Sequence, residues 1–96
     1  MAAYIITNAK ITNPDAYGEY GKLAPDAIHN YGGEFLTRGG ATEIMEGSWE
    51  PHRIVVIKFE SIEKAKEMYN SPEYQEAKEK RIGAADFNMI LVEGCD

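Results

Sequence analysis

The chain has 96 residues, enough for one domain over residues 1–96 with a single modest core and too few for two. Ten basic against sixteen acidic residues leave a net charge of −6, and the basic ones form no run, which argues against nucleic acid as a partner. No stretch is apolar and long enough to span a bilayer, and the opening MAAYIITNAKI does not read as a secretory leader, so a cytoplasmic protein with no membrane partner is expected.

Cys95 is the single cysteine, which removes an internal disulfide. His29 and His52 stand too far apart for a metal-ligand spacing, so neither a metal nor another cofactor is expected.

In chain order, Ala3 to Ile11 is rich in Ile, Thr and Tyr with apolar groups on both parities, the pattern of a strand buried on two sides. Asn13 then caps a helix that has Pro14 at its first position. Tyr17, Tyr20, Ala24, Ala27, Ile28 and Tyr31 give this helix one aromatic and apolar stripe, and Pro25 predicts a kink or break near Leu23. Gly32 and Gly33 end it. Glu34 to Arg38 form a short strand, Gly39 and Gly40 a bend, and Thr42 to Glu46 are expected to resume the strand before a turn at Gly47. Arg53 to Glu60 read as a central strand, with Val55, Ile57 and Phe59 on one face and Ile54 and Val56 on the other. Ser61 caps a second helix, Ser71-Pro72 opens a further helical segment, and Phe87 to Glu93 close the chain as a strand.

That order is the α+β, ferredoxin-like βαββαβ arrangement, an antiparallel sheet with its helices on one face. The two-sided strands leave Tyr4, Ile6, Ile54 and Val56 on a face that no helix covers. A second copy of the chain packed sheet to sheet is the expected cover, which makes the protein its own partner as a homodimer.

Asp15-Ala16-Tyr17 with Tyr20, Tyr31-Gly32-Gly33, Arg38-Gly39-Gly40, Glu46-Gly47 with Trp49, Pro51 and Arg53, Phe59, Ser71-Pro72 with Tyr74, and Arg81 together resemble the family called domain of unknown function 1330. The resemblance covers essentially the whole chain and implies a homodimeric, dimeric α+β barrel fold. It implies no activity. Met68 and Lys58 depart from the family pattern, where an aromatic and an acidic residue are more usual.

Among residues that could carry chemistry, Arg38, Arg53 and Arg81 are the most pointed set, because guanidinium forks hold carboxylates in bidentate geometry and stay charged when partly buried. They fit a small organic acid as ligand; they equally fit ion pairs with the sixteen acidic residues. Trp49 suits the wall of a pocket or the dimer interface, and Tyr69 is a further candidate for ligand contact. Glu46 is the candidate general base, and His52, adjoining Arg53, the candidate for proton transfer. Two functions stay open at this point. One is a cofactor-independent enzyme acting on a small anion held between sheet and helices, and the other is a non-catalytic dimeric binding or interaction module.

Overall fold

The computed structural model describes residues 1–95. Its elements are β1 (Ala3–Ile11), α1 (Pro14–Asn30), β2 (Glu34–Arg38), β3 (Arg53–Phe59), α2 (Ile62–Tyr69), α3 (Pro72–Arg81) and β4 (Ala85–Glu93). The strands form one sheet in the order β2-β3-β1-β4, with every neighbouring pair antiparallel. The second crossover is made of two short helices rather than one. Sheet and helices make two layers, only 16 Å deep along the shortest axis.

Each helix begins where a side chain can accept an otherwise unpaired backbone N–H. Asn13 accepts from Ala16, Ser61 from Lys64 and Ser71 from Tyr74, at 3.2, 3.1 and 3.1 Å; a cap of this kind contributes about 1 kcal/mol. At the end of α1 the Gly33 N–H bonds back to the Ile28 carbonyl and the Gly32 N–H to that of His29, with Gly32 at φ +84°. These are the paired bonds of a Schellman motif, which requires the left-handed residue that glycine supplies.

The register puts the odd-numbered residues of β1 on the helix side. Ile5 pairs with Ile57 and Leu91, Thr7 with Val55 and Met89, and Ala9 with Arg53 and Phe87. Against them α1 presents Tyr20, Ala24, Ala27 and Ile28, and α2 and α3 bring Ala65, Met68, Tyr74 and Ala77, completing the core. The even-numbered residues face away from every helix. There Ile6 lies between Val56 and Ile90, and Ile90 is 60% exposed.

Two expectations are corrected. Thr42–Glu46 do not resume a strand: β2 stops at Arg38, and residues 39–52 form an irregular loop that is exposed at every residue except Pro51. The ladder explains why, since Arg38 already pairs with Val55 near the start of β3, leaving no partner strand for residues 42–46. Pro25 does not break α1, which runs through it. Because proline has no N–H, the Gly21 carbonyl loses its usual donor at this turn.

Candidate functional site

A cleft opens between α1 and the helix-facing side of the sheet. It holds ≈ 520 Å³ counting its open mouth. Its floor is Thr7, Val55, Ile57, Phe87 and Met89 from three strands, and its roof is Tyr17, Tyr20, Ala24 and Ile28 from α1. Gly21 and Pro25 also line it, so the turn of α1 that carries the proline lies at the cleft wall.

Arg38 and Arg53 both line this cleft. Arg38, on edge strand β2, is exposed and lies over the Phe35 ring at 4.5 Å. Arg53 opens β3 and is half-buried. Its guanidinium occupies the space that a Cβ at Gly39 would fill, and Gly39 is held at φ +75° with its N–H on the Ile54 carbonyl at 2.9 Å. The glycine therefore does two things at once: it reverses the chain after β2 and it admits the arginine. Gly39→Ala is expected to cost about 1 kcal/mol for the left-handed backbone, a fall in Tm of roughly 4–8 °C, and to push Arg53 off its position. Thermal unfolding combined with a crystal structure of the variant checks both effects.

The electrostatics of the cleft are one-sided. Among the described residues the ion pairs are Lys22 with Glu19 and Lys64 with Glu67, on exposed helix faces. Among the described residues Arg38, Arg53 and Arg81 have no carboxylate partner, and the cleft lining includes neither a carboxylate nor an imidazole. The Tyr17 hydroxyl is pushed up in pKa by burial, with the nearby guanidinium groups of Arg53 and Arg81 pulling the other way. An electropositive slot in a protein of net charge −6 is a local contrast that attracts anions.

Arg81 takes a different place from the other two arginines. It is 9% exposed and sits behind the cleft wall, its guanidinium 3.7 Å from the centre of the Phe87 ring and 5.2 Å from that of Tyr20. Burial works against its charge while the hydroxyls of Tyr74 and Tyr20 favour it, and the net result is a raised pKa. A direct hold on a ligand is thus not the position the fold assigns it.

The remaining candidates fall outside the cleft. Trp49 is 72% exposed on the 39–52 loop, so Arg38 and Arg53 line the cleft without it. Glu46 is exposed on the same loop. His52 is exposed, and its backbone N–H donates to Asn8 Oδ1 at 2.8 Å on the side of the sheet opposite Arg53. Tyr69 borders a separate groove with Ala65, Lys66 and Ile90, where its hydroxyl accepts from Lys78 Nζ at 2.9 Å. Sequence reasoning missed Tyr74, Phe87 and Met89 as cleft residues and placed Tyr17 and Tyr20 only on the stripe of the first helix. The available signal was geometric: the tyrosine stripe of the first helix had to face the odd-numbered side of the strands.

Fold and site define a ferredoxin-like α+β protein with a ligand-sized cleft under its first helix. The chain belongs to the family described as domain of unknown function (DUF1330), which matches residues 2–95. No curated protein matches it. Among solved structures, a protein of unknown function from Rhodopseudomonas palustris is similar, with a TM-score of 0.75 at 20% identity, covering 99% of this chain and 83% of that one. SnoaB, a cofactor-independent oxygenase from Streptomyces nogalater, gives 0.67 at 7% identity, covering 99% and 94%. A dimeric protein of unknown function with a ferredoxin-like fold from Bacteroides fragilis gives 0.64 at 11% identity, covering 97% and 96%. At these identities the likeness is one of fold.

Proposed function

We propose that this protein is a homodimer that binds a small organic acid in the cleft between α1 and the sheet. The observation that carries the reading is that Arg38 and Arg53 line one mostly apolar cleft with no carboxylate among the described residues to neutralise them. A planar carboxylate matches the guanidinium fork, and the aromatic side chains in the lining suit an unsaturated or aromatic body behind it. Binding without catalysis is favoured over proton-transfer chemistry, because Glu46 and His52 lie outside the cleft and no other carboxylate or imidazole lines it.

The dimer part of the reading rests on the uncovered face around Ile6, Val56 and Ile90 and is supported by the dimeric neighbour. A thermal-shift screen of small aromatic and aliphatic carboxylic acids tests the ligand part. Acids are expected to raise the Tm of the wild type and to lose most of that effect in Arg53→Ala, since a hydrogen-bonded charge pair removed from a partly buried site weakens binding by about 2 kcal/mol or more. No stabilisation by any acid, or an equal response from the variant, would sink the reading.

A further inference from the structure

Behind the cleft wall, three polar side chains form a chain with a fixed direction. The Tyr20 and Tyr74 hydroxyl oxygens are 2.7 Å apart, and Arg81 Nη2 lies 3.5 Å from the Tyr74 oxygen. Arg81 can only donate, so the Tyr74 oxygen accepts from it. Tyr74 is completely buried, and among the described residues the one acceptor within reach of its own hydrogen is the Tyr20 oxygen. Tyr74 therefore donates to Tyr20. This leaves the Tyr20 hydrogen without a protein acceptor among the described residues, on a side chain that is 8% exposed and lines the cleft.

The charge at the head of the chain strengthens the donor at its end. Hydrogen bonds in series polarise one another, and the series begins at a guanidinium whose Nε has no partner of its own. Burial, together with the neighbouring Tyr74, raises the Tyr20 pKa, so its hydroxyl keeps its proton throughout the ordinary pH range. A phenol held in this way donates; it does not act as a base.

We infer that the ligand carries a second oxygen, a carbonyl or other acceptor that receives the Tyr20 hydroxyl proton in a hydrogen bond while its carboxylate meets Arg38 and Arg53. The ligand class is thereby narrowed from organic acids to oxo acids, and Arg81 becomes a positioning residue that acts through Tyr74. This inference rests on the organic-acid reading above. Hydrogen-bond donors that a site leaves unpaired are also its means of selection, because a ligand lacking the acceptor strands them in a desolvated wall.

Matched probes separate the two readings. The ortho, meta and para acetylbenzoates each carry an acceptor oxygen, and the corresponding isopropylbenzoates have nearly the same shape without it. Calorimetric titration is expected to show at least one acetyl isomer binding the wild type about tenfold more tightly than its isopropyl counterpart. Tyr20→Phe is expected to abolish that preference while still binding the isopropyl acid. Tyr74→Phe, which cuts Tyr20 off from Arg81, is expected to reduce the ratio, whereas damage to packing alone would weaken both acids alike. If the wild type binds the acids with no acetyl preference in any isomer, or if Tyr20→Phe keeps the preference, the oxo-acid inference is overturned and the organic-acid reading stands. If neither series binds, both fall.

Discussion

Ile90→Asp is expected to convert a species of twice the 10.7 kDa chain mass into one of 10.7 kDa in sedimentation at micromolar concentration. Ile90 sits on β4 beside Ile6, on the sheet face that no helix covers, and Val56 flanks Ile6 on the other side. Because Ile90 is 60% exposed in the single chain, an aspartate there costs the monomer's fold little. In a sheet-to-sheet dimer the same carboxylate would be desolvated without a partner, at a cost on the order of 3 kcal/mol or more. That is roughly a hundredfold in the dissociation constant for each copy.

The 39–52 loop belongs to the same prediction. Met45 is 90% exposed and Trp49 72% exposed, an unusual display of large apolar groups on an otherwise acidic chain. Trp49 is the only tryptophan, so its emission reports on this loop alone. A blue-shifted emission in the wild-type dimer that moves to the solvent-exposed value in Ile90→Asp is expected if the loop packs on the second copy. A wild type that sediments only as monomer, or a variant with unchanged mass, would remove the homodimer from the proposal.

Where a single local signal decides an element, the sequence is enough to read it. The caps at Asn13, Ser61 and Ser71, the paired glycines after α1 and the two-sided strand at Arg53 to Phe59 each stand where their residue types predict. The extension of β2 is misread because Thr42 to Glu46 carry a plausible strand pattern, while strand formation depends on a partner many residues away. The break expected at Pro25 is misread for the opposite reason. The proline is a strong local signal, and tertiary packing of Ala24, Ala27 and Ile28 against the core overrides it.

The site is only half legible. Arg38 and Arg53 line the same cleft because antiparallel pairing of β2 with β3 places Arg38 opposite Val55, two residues from Arg53, a relation readable from register. The displacement of Arg81 into the wall is not readable, because it follows from the rotation of α3 about its own axis. That helix is polar along most of its length, and its buried residues are Tyr74, Ala77 and Arg81. Spacing of 3 and 4 residues puts these three on one face, yet an arginine in such a stripe more often marks its rim than its centre.

The burial of that face makes Tyr74 the most sensitive position in the molecule, and Tyr74→Ala is expected to leave no cooperatively folded protein. Tyr74 is among the largest fully buried side chains, and its ring meets Tyr20 and Tyr69 at centroid distances of 6.1 and 5.5 Å. Emptying a buried aromatic site costs about 3–5 kcal/mol, and removing the acceptor from the buried Arg81 adds about 1.5–3 kcal/mol. The total approaches the whole stability of a domain of this size, about 5–15 kcal/mol. Tyr74→Phe isolates the second contribution, since the ring remains and only the oxygen between Arg81 and Tyr20 is lost. It is expected to fold with a Tm lower by roughly 10 °C. Tyr20→Phe keeps the acceptor of Arg81 and should cost less than Tyr74→Phe, because it strands a neutral hydroxyl rather than a guanidinium. Circular dichroism melts of the three variants give the order directly. A Tyr74→Phe protein that melts with the wild type, or one more stable than Tyr20→Phe, would show that the guanidinium draws no support from the Tyr74 oxygen.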